Sequence, residues 1–210
     1  MLKITPENID LFNQALRYES PIEIISFVLD QSERPIISTS FGKYSATILH
    51  AATQVKKDIQ VIWCDTGYNT EATYKHAQEL MSRLDLTVDI FTPGYTKGFL
   101  DVTLGLPETN DPNHVWFSQQ VKLEPFERAL KKHKPDIWLT NLRKGQNSYR
   151  DQLDVLSFTE EGILKVCPFY HWNNDQILQY LNGYRLPILN DYFDPVKADS
   201  TRECGIHLGN

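Results

Sequence analysis

The sequence has no long hydrophobic run, and its charge balance is not basic. No apolar stretch among the 210 residues approaches the roughly 18 residues of a membrane span, so no membrane partner is expected. Residues 1–6 contain no apolar block of signal-peptide length, which makes a cytoplasmic protein the expectation. The formal net charge of −6 argues against a nucleic-acid partner, but it permits a basic pocket for one anion.

Cysteine is also scarce. Cys64, Cys167 and Cys204 are the three cysteines, and they form no CxxC or CC pair. A disulfide framework is therefore not expected, and three thiols cannot supply the four ligands of a [4Fe–4S] cluster. We expect no bound cofactor, iron–sulfur cluster or metal. Cys64 and Cys167 lie in apolar strand contexts, where cysteine is usually a buried and unreactive side chain.

Short apolar strands alternate with helical stretches. This alternation predicts an α/β fold with a doubly wound, mostly parallel sheet and helices on both faces. Thr5-Pro6 and Ser20-Pro21 both predict helix starts, since each pairs a hydroxyl N-cap with proline at the first helical position. A further helix is predicted over residues 123–133. The strands are predicted at residues 35–38, 60–64, 87–91 and 136–140, with a hairpin turning at 159–162.

The sequence shows no internal repeat and no convincing domain linker. We expect a single nucleotide-binding domain over residues 1–189 and a flexible C-terminal tail over residues 190–210 that carries a catalytic cysteine. Residues 93–114 are rich in Gly, Pro, Asn and Thr. They predict a long loop with one short helix at 99–104, of the kind that often forms a lid or a substrate wall.

A small polar loop follows the first predicted strand. Such a loop between a strand and a helix presents backbone N–H groups to an anion, and glycine permits close approach of the ligand. An ordinary strand-to-helix turn explains the same residues equally well. The Walker pattern GxxxxGK[ST] is absent. The candidate binding residues are Ser38, Ser40, Phe41, Gly42 and Lys43.

Two further polar segments follow predicted strands. Asp65, Thr66 and Gly67 end the second strand, where an acid commonly binds a ribose hydroxyl or an adenine amino group; a turn cap before a helix is the alternative. The segment after the strand at 136–140 places three cations within eight positions. Arginine there can bind phosphate in bidentate fashion, although such clusters are often solvated turns. Its candidate residues are Arg143, Lys144, Gln146 and Arg150.

The C-terminal end carries the most specific motif. Cys204 has Arg202 two positions before it and His207 three positions after it, in polar surroundings. Cations stabilise a thiolate, and an electropositive, partly exposed position is what a reactive cysteine requires.

These segments together resemble the phosphoadenylyl-sulfate (PAPS) reductase family, within the adenine-nucleotide α-hydrolase-like folds. Four blocks match in order, from about Pro35 to the end of the chain. The resemblance implies that PAPS is the substrate, that Cys204 attacks its sulfur, and that reduced thioredoxin or glutaredoxin releases sulfite from the S-sulfocysteine. It also implies a homodimer. The matching blocks are residues 38–42, 65–68, 142–150 and 202–207.

Three other functions remain open from the sequence. Lys43 and Ser45 approximate the SGGKDS loop of ATP pyrophosphatases, which predicts an ATP-using adenylyltransferase or sulfur-transfer enzyme. A reductase of unphosphorylated adenylyl sulfate is a second alternative, although relatives of that type usually carry the cluster ligands that are missing here. The third is a degenerate nucleotide-binding module with a regulatory thiol.

Overall fold

A computed structural model describes residues 3–108, 110–146, 150–194 and 196. The predicted residues Arg202, Cys204 and His207 lie outside these ranges, as does most of the predicted tail. The division of the chain at residue 189 therefore stays a prediction. Within the described ranges, no helix combines the length and the apolar character needed to cross a bilayer.

Six strands form one sheet in the order β3-β2-β1-β4-β6-β5. All neighbours pair in parallel except β5 with β6. The chain starts at the centre with β1, moves outward to β3, and returns on the other side of β1 with β4. This confirms the doubly wound, mostly parallel sheet and places its switch point between β1 and β4, where such folds bind ligands. The strands are β1 Pro35–Thr39, β2 Gln60–Cys64, β3 Thr87–Phe91, β4 Ile137–Leu139, β5 Leu156–Phe158 and β6 Leu164–Val166.

Helices cover both faces of the sheet, because alternate strand residues point to opposite sides. Ile37 packs in the larger core with α1–α4 and α8, whereas the adjacent Ile36 packs with α7 through Phe126 and Ala129. The helices are α1 Ile9–Leu16, α2 Pro21–Leu29, α3 Ser45–Val55, α4 Glu71–Leu84, α5 Lys97–Thr103, α6 Asn113–Ser118, α7 Glu124–His133 and α8 Asn174–Gly183.

One of the two predicted helix starts is right and the other is wrong. Ser20 begins α2 with a full capping box, in which its hydroxyl accepts from the amide of Glu23. The helix expected at Thr5-Pro6 begins instead at Ile9. The amide of Thr5 donates to the side-chain oxygen of Asn8 at 2.8 Å, which closes a separate turn before the helix.

The segment after β3 is more helical than the sequence predicts. The short helix expected at 99–104 is present as α5, Lys97–Thr103. The helix expected to start at 123 belongs to a run that begins earlier, with α6. A π-helical segment, Gln119–Leu123, joins α6 to α7. Pro125 lies in the first turn of α7, just after this wide turn, which accommodates a residue without an amide hydrogen.

Candidate nucleotide-binding site

A cavity of about 470 Å³ opens at the switch point of the sheet. The loops that follow β1 and β4 form its two main walls, as the strand order requires. Further lining residues are Lys122, Phe126, Leu189, Asn190 and Tyr192. Of the residues predicted for binding, the cavity is lined by Ser38, Ser40, Gly42, Lys43, Arg143, Gln146 and Arg150.

The loop after β1 is shaped by its neighbours. The hydroxyl of Ser38 accepts a 2.7 Å hydrogen bond from Trp138 Nε1. A Cβ atom on Gly42 would lie 3.3 Å from the ring of Tyr192, so a larger residue would press on the opposite wall. The loop leads into α3, whose first residue, Ser45, has a buried hydroxyl with no hydrogen-bond partner among the residues that the structure describes. Polar groups at the start of a helix are suited to binding an anion.

Phe41 was predicted to bind the ligand, but its side chain does not line the cavity. Its side chain is fully buried and packs edge-on against Trp63, with the ring centroids 4.9 Å apart. Its φ of 48° lies in the left-handed region, which costs a non-glycine residue about 1 kcal/mol or more. Burial of the ring offsets that cost and holds the turn, so Phe41 shapes the loop from the core and does not line the cavity.

Tyr44 was not predicted, yet it lies between two cations of the cavity. The ammonium of Lys43 is 5.3 Å from the centre of its ring, and the guanidinium of Arg143 is 5.2 Å from it. Cation–π attraction of this kind holds both charges near the cavity without neutralising them. Its place directly after Lys43 was the signal available in the sequence.

Arg143 is a buried cation that bonds to neutral partners among the residues that the structure describes. Its guanidinium donates to Asn174 Oδ1 at 2.9 Å and to the carbonyl of Trp172 at 3.4 Å, and within those residues Nε has no partner. Burial lowers the pKa of Arg143, and Tyr44 opposes this shift while the charge of Arg150 adds to it. A bound anion would compensate both the burial and the repulsion.

Gln146 joins the two arginines, since its side-chain oxygen accepts from Arg143 N at 3.0 Å and from the Arg150 guanidinium at 2.6 Å. Arg150 is also buried and lines the cavity. Lys144 was predicted beside them, but its side chain is exposed and does not line the cavity. Its amide donates to the carbonyl of Tyr170, which turns the loop at this point.

The predicted residues Asp65, Thr66 and Gly67 lie at the same edge of the sheet but do not line this cavity. The Asp65 carboxylate accepts hydrogen bonds from the Tyr74 hydroxyl at 2.9 Å and from Asn69 Nδ2 at 2.8 Å. Burial, as the larger cause, and the hydrogen bond to Asp65 together raise the pKa of Tyr74 to about 12. These contacts fix the loop, and its role in binding stays a prediction.

The wall opposite the arginines contains residues that the sequence did not indicate. Lys122 lines the cavity and forms a buried 2.6 Å ion pair with Asp194. Cys64 also lines it, where burial raises the pKa of its thiol to about 12. The part of the chain that the structure describes holds no group of three or more His, Cys, Asp or Glu residues that could bind a metal.

A doubly wound sheet with a cationic cavity at its switch point defines an α/β protein with an anion-suited cavity at the edge where such sheets bind ligands. Residues 34–194 match the family described as "Phosphoadenosine phosphosulfate reductase domain". A "Phosphoadenosine 5'-phosphosulfate reductase" of Synechococcus sp. is 32% identical over 201 residues, covering 82% of this chain and 85% of the relative. The reductase of the same name from Proteus mirabilis is 33% identical over 85% of this chain and 74% of the relative. The chain belongs to this family of sulfate-assimilation oxidoreductases, which confirms the resemblance seen in the sequence.

Solved structures show the same fold. The phosphate complex of phosphoadenylyl-sulfate reductase from Candida auris matches with a TM-score of 0.77 and 24% identity, over 90% of this chain and 91% of that one. The FMN adenylyltransferase of Candida glabrata matches with a TM-score of 0.58 and 14% identity, over 90% of this chain and 61% of that one. At these identities the likeness concerns the architecture, which confirms the predicted fold class.

Proposed function

We propose that this protein reduces PAPS to sulfite and adenosine 3′,5′-bisphosphate, with Cys204 as the nucleophile. The observation that carries the proposal is the cationic cavity, in which the buried guanidinium of Arg143 bonds, within the described part of the chain, to neutral oxygens. PAPS is rich in phosphate and sulfate oxygens, and planar guanidinium groups bind such oxyanions well. The family membership supports the same substrate.

The reaction divides into two steps that balance. In the first, the Cys204 thiolate attacks the sulfur of PAPS, an S–S bond forms, the S–O bond to the phosphate breaks, and the bisphosphate leaves. In the second, a thiolate of reduced thioredoxin or glutaredoxin attacks the Cys204 sulfur, and sulfite departs with the electron pair of the S–S bond. The second thiol of the donor then resolves the mixed disulfide. The dithiol supplies both electrons, and no cofactor of this chain is needed.

The cavity residues would bind and orient the nucleotide. Arg143, Arg150 and Lys43 neutralise its anionic groups, so that a negatively charged thiolate can approach the sulfur. Ser38, Ser40 and the backbone at Gly42 offer hydrogen bonds at the end of β1. Arg202 and His207 are proposed to stabilise the thiolate, and Asp65, Thr66 and Gly67 to contact the nucleoside. Lys144 is left out of this set because its side chain is outside the cavity.

Intact mass spectrometry after incubation with PAPS, without reductant, tests the covalent step. We expect a sulfo adduct on the wild type and on the control Cys167→Ala, and none on Cys204→Ser. Addition of reduced thioredoxin should release the adduct as sulfite. The absence of an adduct, or an adduct that survives Cys204→Ser, would contradict the proposal.

The substrate and the donor are decided by parallel measurements. Sulfite formation is compared for PAPS and for adenylyl sulfate, with thioredoxin or glutaredoxin as the donor. A preference for adenylyl sulfate would assign the protein to the cluster-free reductases of that nucleotide. Pyrophosphate release from ATP, in place of sulfite formation, would assign an adenylyltransferase-type activity. Size-exclusion chromatography with light scattering tests the proposed homodimer.

A further inference from the structure

A buried ion pair includes one residue that lines the cavity. Lys122 Nζ lies 2.6 Å from Asp194 Oδ2, and the two side chains are only 5% and 3% exposed. Removing two charges from water is costly, and a pair of well-packed apolar residues often stabilises a fold at least as well. A purely structural role therefore gives no reason for charges at this position. Lys122, unlike an ordinary structural lysine, also lines the proposed substrate cavity.

The hydrogen bonds of Asp194 show which part of the chain the ion pair with Lys122 holds in place. Its carboxylate accepts from the amide of Val196 at 3.1 Å and from the hydroxyl of Tyr192 at 3.4 Å, both within its own segment. Among the described residues, Lys122 is its hydrogen-bond partner from outside that segment. The ion pair thus ties Asp194, and with it Tyr192 and Val196, to the helical run after β3.

The same segment forms part of the cavity and leads to the proposed nucleophile. Tyr192 lines the cavity opposite Gly42, and Val196 packs in a small cluster with Leu100 and Phe117 of α5 and α6. The chain continues from Val196 to Cys204. A change in the bond between Lys122 and Asp194 would therefore act on the part of the chain that precedes the proposed nucleophile in sequence.

We propose that Asp194 is a positioning residue that competes with an anionic group of the substrate for Lys122. Without substrate, the Asp194 carboxylate pairs with the Lys122 ammonium and holds Tyr192 at the cavity. When the nucleotide binds, one of its oxyanions pairs with the Lys122 ammonium in place of Asp194. Repulsion between the oxyanion and the Asp194 carboxylate then releases Asp194 together with the neighbouring Tyr192. One anion replaces another on the same cation, so the exchange is close to balanced and a ligand can shift it. This inference rests on the proposed function.

Binding of PAPS to a Cys204→Ser background, in which no adduct can form, tests the competition by calorimetry. Asp194→Asn should bind PAPS more tightly, by roughly 5- to 150-fold, the usual range of coupling between two competing groups. Asp194→Glu keeps the charge and should remain close to the background. With Lys122→Met added, Asp194→Asn should give no gain. Unchanged or weaker binding by Asp194→Asn would show a fixed support and overturn the proposal.

A thermal double-mutant cycle gives a second readout. Melting temperatures are compared for the Cys204→Ser background, Lys122→Met, Asp194→Asn and the double variant, with and without saturating PAPS. The single changes should be non-additive without ligand, and the non-additivity should vanish with PAPS because the pair is then already broken. Non-additivity that PAPS leaves unchanged would refute the exchange. A failure of the proposed function looks different, since PAPS would then fail to bind the unmodified background or to yield sulfite.

Discussion

Replacing Arg143 by methionine should weaken PAPS binding strongly while changing the stability of the fold little. Arg143 is 5% exposed, and its hydrogen bonds go to the neutral oxygens of Trp172 and Asn174. Methionine retains an apolar stem of similar shape and removes a buried charge that no carboxylate among these partners compensates. The loss of the two bonds and the relief of desolvation oppose each other, so the net change in unfolding free energy should stay within about 1 kcal/mol.

The effect on binding follows from the charge-assisted bonds that the guanidinium would make to an oxyanion. A hydrogen bond to a charged group contributes about 1.5–3 kcal/mol. At about 1.4 kcal/mol for each factor of ten, the dissociation constant for PAPS should rise about 10- to 150-fold. Burial lowers the pKa of Arg143, which indicates that water screens this charge little and favours the upper part of the range.

Calorimetry with PAPS and thermal melting measure the two quantities on the same samples. Lys144→Met is the matched control, because it removes a cation from the adjacent position whose side chain is exposed outside the cavity. It should leave both affinity and melting temperature near wild type. Equal loss of affinity in the two variants would refute the assignment of the anion site to the buried arginine, as would tight binding by Arg143→Met.

Three further predictions concern the edge strand, pH and thiol chemistry. Asn13→Ala should lower the unfolding free energy by about 2–4 kcal/mol in urea denaturation. The reason is that the buried side-chain amide makes two hydrogen bonds to the backbone of Leu156, at 2.8 and 3.0 Å. A loss under about 1 kcal/mol would show that these bonds contribute little. Burial lowers the pKa of His50, so the unfolded chain binds more protons and stability should fall as the pH drops below about 6.5, by at most about 1.4 kcal/mol per unit. His50→Gln should flatten that dependence in melts between pH 7 and 5, and an unchanged profile would contradict the assignment. At pH 8 iodoacetamide should label Cys204 well before Cys64, whose pKa of about 12 leaves roughly 1 thiolate in 10⁴; peptide mass spectrometry showing equal rates would contradict this.

The sequence predicted the central sheet well because its signals are local. A run such as residues 60–64 is apolar, short and bounded by polar residues, and the strand occupies those residues. The capping box at Ser20 likewise needs only four consecutive residues. The prediction failed where a distant or competing contact decided the outcome. The amide of Thr5 bonds to the side chain of Asn8, and the helix expected to start at 123 continues a run that begins with α6 and passes through a π-helical segment.

For the candidate site, the sequence by itself determined the polar loops at the strand ends and the family to which they belong. It could not assign side chains within those loops, because residues next to each other in sequence can point to opposite sides. Phe41 turns into the core and Lys144 into solvent, whereas Gly42 and Arg143 line the cavity. Motif matching treats all four alike.

Only the tertiary structure decided which distant charges meet. Lys122 and Asp194 are separated by most of the second half of the chain, and no local pattern links a lysine in a helical run to an acid near the C-terminus. They come together only in the folded chain, where both side chains are buried and an ion pair matters more than it would on the surface. The sequence thus determined the elements and the chemistry available, and the fold determined which of those groups share the cavity.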